Sequence, residues 1–192
     1  VWNPDLGNGM YKNPVINADY SDPDVVCVGD DYYMTASSFN CIPGLPILHS
    51  KDLVNWEIIG HAVTKLQPES EFDQPSHGNG VWAPCISYHN GEFYIYWGDP
   101  DYGVFMVKTK DPAGKWDDPV CVIPGKGMID TSPLWDEDGR VYLVNGWANS
   151  RNRFASVITV RELNADGTKA ISDPVIVFDG NGTENRTCEG PK

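Results

Sequence analysis

The stretch Cys85-Ile86-Ser87-Tyr88-His89-Asn90-Gly91-Glu92-Phe93-Tyr94-Ile95-Tyr96 decides the fold class. An apolar run meets Asn-Gly, the dipeptide suited to the tight turns that match the twist of paired antiparallel strands, and an aromatic-rich run leaves it. One β-hairpin is predicted here, and its plan recurs on both sides. Val25-Val26-Cys27-Val28 passes through Gly29-Asp30-Asp31 into Tyr32-Tyr33-Met34-Thr35-Ala36. Ser132-Pro133-Leu134-Trp135 passes through Asp136-Glu137-Asp138-Gly139 into Val141-Tyr142-Leu143-Val144. The first two hairpins continue into a third strand and a Lys-Asp turn that ends in Trp, His49 to Trp56 and Lys108 to Trp116. A fourth strand follows each, Glu57-Ile58-Ile59-Gly60 or Pro119-Val120-Cys121-Val122. Ala155 to Val160, the Asn164-Ala165-Asp166-Gly167 turn and Pro174 to Phe178 complete the third unit. Four antiparallel strands repeating every ~50–60 residues are expected of propeller blades, each burying a face that a single sheet would leave wet.

Composition agrees. Of 192 residues 19 are Gly and 15 Pro, scattered among 7 Trp, 9 Tyr and 6 Phe, which leaves little room for helices. The formal charge of -13 is the wrong sign for neutralising phosphates, so nucleic acid and anionic membrane are poor partners. No apolar run is long enough to span a bilayer. The opening Val1-Trp2-Asn3-Pro4 carries no Met and no basic start, so the reading is a soluble chain shown without any signal peptide. Five cysteines, Cys27, Cys41, Cys85, Cys121 and Cys188, show no paired spacing. Cys27, Cys85 and Cys121 lie inside apolar runs, and the expectation is that they serve as small core hydrophobes.

Counting back eight residues from the turn residues Asp30, Asn90 and Asp138 reaches Asp22, Trp82 and Asp130. The first strand of each propeller blade lines the axial channel, so these three positions are expected to face one another. Cys188-Glu189-Gly190-Pro191 looks like a fourth such entrance, whose turn would fall beyond Lys192. The 192 residues are therefore expected to form one domain covering about three and a half blades of a larger propeller, truncated at its C-terminal end.

Three carboxylates, Asp22, Asp130 and Glu189, converging beside Trp82 would repel unless they divided labour. Like charges in a partly desolvated site push pKa values apart, leaving one group as a base and another as an acid. Glycoside hydrolysis needs that pair, and Trp82 would offer an apolar wall to the sugar.

Asn13-Pro14-Val15-Ile16, Tyr20-Ser21-Asp22-Pro23-Asp24-Val25, Gly29-Asp30-Asp31-Tyr32-Tyr33, Ser37-Ser38-Phe39, Pro43-Gly44-Leu45-Pro46-Ile47 and His49 to Trp56 together resemble the opening of family 43 glycoside hydrolases. Val81-Trp82-Ala83-Pro84, Ile129-Asp130 and Glu189-Gly190-Pro191 resemble the later motifs of that family. The resemblance implies an all-β, five-bladed propeller and an inverting hydrolase with no cofactor for its chemistry. It also implies that Asp22 is the general base and Glu189 the general acid, while Asp130 raises the pKa of the acid and orients it. The implied substrates are pentose-bearing plant polysaccharides or their oligomers, from which terminal α-L-arabinofuranose or β-D-xylose is removed. Members that cut arabinan chains internally are the alternative within the fold. Asn40-Cys41-Ile42 stand where members resembling β-xylosidases usually place an aromatic pair, which puts arabinofuranose ahead of xylose. Phe39, Trp82 and His77 are the expected sugar-contacting residues.

Other signals carry less. Asp136 to Gly139 lacks the spacing of a calcium loop, and His49, His61, His77 and His89 show no metal pattern. Family members often hold a structural calcium on the axis through a later histidine, so none is placed here. Asn181-Gly182-Thr183 and Asn185-Arg186-Thr187 match the glycosylation pattern, which is chance if the source is bacterial. The Gln67 to Asn79 connection is long, and walling off one end of the cleft would favour exo action. A lectin-like propeller using Trp82 and Phe39 as platforms is the rival reading, yet it has no need of three converging acids, which are costly to desolvate. A sialoside enzyme would gather arginines at the blade entrances, which Arg140, Arg151, Arg153, Arg161 and Arg186 do not. Polysaccharide breakdown favours a periplasmic or secreted protein, whereas unpaired cysteines suit the cytoplasm equally. Oligomeric state is open.

Overall fold

The computed structural model describes residues 2–184 and 187–192. Among them lie three four-stranded antiparallel sheets and two single-turn helices. The first sheet is β1 Asp24–Val28, β2 Asp31–Thr35, β3 Gly44–Ser50 and β4 Glu57–Val63. The short helix α1, Glu69–Phe72, interrupts the connection to the second sheet, β5 Trp82–His89, β6 Glu92–Asp99, β7 Gly103–Thr109 and β8 Val120–Pro124. The third is β9 Met128–Trp135, β10 Val141–Trp147, β11 Val157–Leu163 and β12 Val175–Asp179, with α2, Asn149–Asn152, between β10 and β11. In each sheet the strands pair in sequence order, so each is one up-and-down blade, and among the first strands β5 packs against both β1 and β9.

The middle blade shows why the pattern folds this way. Side chains alternate across a strand, so β6 sends Phe93, Ile95 and Trp97 into the core shared with Leu45, Ile47 and Val63 of the first blade. Its other face sends Tyr94 and Tyr96 into a second core with Val141, Leu143 and Leu163 of the third. Every residue of β12 is exposed, because no further sheet covers it among the described residues. Two glycines mark close approaches that set the entrances. A Cβ on Gly98 would stand 2.5 Å from the Met128 carbonyl, so β6 lets β9 pass just before Asp130. A Cβ on Gly80, with φ near +95°, would strike the Phe39 carbonyl, where Phe39 and Val81 exchange two backbone bonds of 3.0 Å.

The cysteine expectation is corrected. Cys85 is buried, but Cys27 and Cys121 are exposed. On β1 it is Val26 and Val28 that pack against the core with the second blade, which turns the alternating Cys27 outward. On β8 it is Val122 and Ile123 that are buried, and Cys121 beside exposed Val120 faces out. An apolar run does not say which of its two faces is covered.

Asn181 donates its amide to Asp179 Oδ1 at 2.8 Å and to the Ala155 carbonyl at 3.1 Å, so it is committed to the turn after β12. The second glycosylation pattern, Asn185-Arg186-Thr187, lies partly outside the described residues.

Candidate active site

The three entrances share a backbone device. Asp22, Ala83 and Asp130 all adopt left-handed conformations, with φ of 50°, 35° and 54°, and Gly190 follows at 61°. Left-handed backbone in residues with side chains is strained and clusters where function holds it. Asp22 and Ala83 each stand six residues before the last ladder residue of their hairpin, Val28 and His89, and Asp130 stands six before Asp136, whose N–H bonds the Arg140 carbonyl across its turn. The register expected for the second blade is thereby corrected by one: Ala83, not Trp82, is the counterpart of Asp22 and Asp130. The cause is the turn, because Gly29-Asp30 and Asn90-Gly91 are the matched pairs, so Asn90 corresponds to Gly29 and not to Asp30. Glu189 then matches Trp82, one residue before the left-handed position.

These entrances surround a cavity of about 390 Å³ lined by Asp22, Ala83, Asp130, Thr131, Glu189 and Gly190, with Asp24, Cys85 and Lys192 below. Ala83 supplies no carboxylate where its counterparts do, which leaves space between the acids. Ser37 Oγ donates to Asp22 Oδ2 at 2.6 Å and accepts the Ala83 N–H at 2.8 Å, so one hydroxyl orients the carboxylate and ties it to the second blade. Asp130 Oδ2 accepts the Gly190 N–H at 2.8 Å, tying the third entrance to the fourth. Burial pushes the Asp130 pKa up, the Gly190 N–H opposes this, and the charges of Glu189 and Asp22 raise it further. Beneath, Asp24 accepts the Ile86 N–H at 2.8 Å and pairs with the Lys192 ammonium. A larger cavity of about 660 Å³ lies between the N-terminal segment and blade one, but no trio of acids lines it, so size does not choose the site.

Neither Phe39 nor Trp82 lies on the lining of the carboxylate cavity: Phe39 bridges Val81, and Trp82 directly precedes the lining residue Ala83. The Trp82 indole N–H is held by the Gly78 carbonyl at 2.7 Å. His77 is exposed on the same connection and does not line the cavity. That connection folds back, and Phe72 of α1 meets Tyr102 edge-on at 6.0 Å. Ser37 and Asp24 also serve the site, because Ser37 bonds Ala83 and Asp24 bonds Ile86 of the second blade, contacts that no local pattern reports.

Among the described residues no group of three or more His, Cys, Asp or Glu is placed to hold a metal, and Asp24 pairs with the Lys192 ammonium.

The profile described as "Glycosyl hydrolases family 43" matches residues 11–192. The chain belongs to glycosyl hydrolase family 43. It is 36% identical over 190 residues to a beta-xylosidase of Formosa agariphila, covering 94% of this chain and 32% of that protein. A non-reducing end alpha-L-arabinofuranosidase of Bacteroides ovatus is 40% identical over 147 residues, covering 74% of this chain and 27% of the relative. The crystal structure of the family 43 protein BlXynB of Bacillus licheniformis superposes with a TM-score of 0.75 at 36% identity, covering 95% of this chain and 35% of that one. This family 43 chain thus spans about a third of the relatives it matches, and it covers part of their five-bladed propeller. Members of family 43 are glycosyl hydrolases, and their chemistry needs no cofactor.

Asp99, at the end of β6, is a buried acid, only 2% exposed. Burial pushes its pKa up to about 6, against the N–H groups of Asp101 at 2.9 Å and Tyr102 at 3.3 Å, which pull it down. Its folded pKa lies above the unfolded value near 3.8, so ionising it costs stability: the cost is absent at low pH, grows from about pH 4 and is complete above about pH 6. Asp99→Asn keeps an acceptor for both N–H groups and removes the charge. It is expected to stabilise the protein by about 2 kcal/mol more at pH 7.5 than at pH 4.5. Urea unfolding at the two pH values checks this, and parallel shifts would count against it.

Proposed function

We propose that this chain carries the catalytic carboxylates of an inverting glycosidase that removes terminal pentose, α-L-arabinofuranose or β-D-xylose, from plant cell-wall polysaccharides or their oligomers. The observation that carries the reading is the cavity where Asp22, Asp130 and Glu189 converge from three blade entrances, with Asp130 sensing the other two charges. Asp22, fixed by Ser37, takes a proton from water. Glu189, entering one position off the register of Asp22, protonates the leaving oxygen. Asp130 holds the Gly190 backbone and so orients the acid. Inversion needs base and acid roughly 6.5–9.5 Å apart to admit the water. The names of the relatives support a pentose and leave both sugars in play.

The test is to incubate the protein with aryl α-L-arabinofuranoside and aryl β-D-xyloside and follow the released anomer by proton NMR. Pentose of inverted configuration is expected, and the faster substrate names the sugar. Turnover of neither, together with tight pentose-oligomer binding that Asp22→Asn and Glu189→Gln leave intact, would mark a lectin.

A further inference from the structure

One guanidinium beside Trp82 bonds residues of two other connections. Arg151, on α2 in the third blade, donates through Nε to Asp101 Oδ1 at 3.2 Å and through Nη2 to Asp101 Oδ2 at 2.9 Å. The same Nη2 donates to Asn79 Oδ1 at 3.1 Å, and Nη1 donates to Ser150 Oγ at 3.1 Å. Asn79 is itself oriented, because its amide donates to Ser76 Oγ at 2.9 Å. The Arg151 guanidinium carbon lies 5.2 Å from the centre of the Trp82 ring, whose N–H is held by Gly78. A fork bound bidentately to a carboxylate while covering an indole face is a geometry that arginine provides and lysine cannot.

The charge serves protein partners. The Arg151 and Asp101 side chains are each only 22% exposed, and Nε, Nη1 and Nη2 of the guanidinium all donate to protein oxygens. A neutral pentose would gain little from competing with Asp101 for them. What the arrangement does is join three connections: Asn79 from between the first and second blades, Asp101 from the β6–β7 turn, and Arg151 from the β10–β11 segment. At their meeting point Trp82 is pinned between the Gly78 carbonyl and the guanidinium, one residue before the cavity-lining Ala83.

We propose that Arg151 is a positioning residue for the sugar subsite, acting through Trp82: clamped by Asp101 and Asn79, it holds the indole as a rigid wall beside the carboxylate cavity. This rests on the glycosidase reading above. The aromatic wall thus depends on a residue from the next blade, and the subsite is assembled only when the second and third blades dock.

A double-mutant cycle tests it. Arg151→Ala is expected to raise KM for the aryl pentoside about five- to tenfold with a smaller change in kcat, the size of one lost cation–ring contact. Arg151→Lys, which keeps charge but not the fork, is expected to fall between, and it serves if the alanine variant folds poorly. In a Trp82→Ala background the same Arg151 substitution is expected to add less than twofold, because the residue acts through the ring. Effects that multiply in the two backgrounds, or a loss confined to kcat, would overturn the proposal. A second readout separates it from the enzymatic reading: acrylamide quenching of the Trp82 contribution, taken as wild type minus Trp82→Phe, is expected to rise in Arg151→Ala. Increased quenching in a protein that turns over neither pentoside would sink the glycosidase reading and keep the clamp. Unchanged quenching would sink the clamp.

Discussion

Replacing Asp22 with Asn is expected to lower kcat on an aryl pentoside by about 10²–10⁴-fold while moving KM little, the loss typical of a removed general base. The substitution is nearly isosteric. Asn keeps an oxygen to accept the Ser37 hydroxyl, which bonds Asp22 Oδ2 at 2.6 Å, and asparagine tolerates the left-handed conformation that φ of 50° imposes. The cavity should therefore keep its shape while losing the group that accepts a proton from water. Initial rates beside a thermal unfolding curve check this. A variant that keeps more than about a tenth of wild-type kcat would remove Asp22 from the role of base.

Glu189→Gln is expected to show a loss that depends on the leaving group. Protonation of the departing oxygen matters most when that oxygen is strongly basic. On a natural pentose disaccharide the rate should drop by about 10²–10⁴-fold, whereas a dinitrophenyl pentoside, whose phenolate departs unaided, should lose less than about tenfold. Glu189 matches the register of Trp82 rather than that of Asp22, and the next residue, Gly190, gives its N–H to Asp130. A carboxyl approaching from that offset position is suited to the leaving group, with Asp22 left to the water. Equal losses on both substrates would show that Glu189 is not the proton donor.

The hairpins were legible because their signals are local. Asn90-Gly91 sets a turn by backbone conformation alone, and Phe93 to Trp97 alternates between two buried faces in one strand. That the entrances of Asp22, Asp130 and Glu189 meet could also be read, since a repeated blade carries its entrance to an equivalent place, although Glu189 sits one residue before the position that Asp22 and Asp130 share. The one-residue slip at Trp82 shows the limit. Turn spacing locates an entrance only to within a residue, and the left-handed φ at Ala83 that corrects it, where the N–H bonds Ser37 of the first blade, is not written in the turn. Cys27 and Cys121 failed for a related reason: a strand pattern shows two faces, and only the neighbouring sheet decides which of them is dry.

By itself the sequence determined a chain of antiparallel four-stranded units with acids at their entrances, because turn chemistry, strand alternation and repeat period are properties of short segments. The tertiary structure alone decided how those entrances work together. Ser37 reaches Ala83, Gly190 reaches Asp130, and Arg151 reaches Asp101, Asn79 and Trp82 across gaps of tens of residues. Such contacts form only when blades dock, since a hydrogen bond between distant segments offsets its loop-closure entropy only after the apolar faces between the sheets have come together.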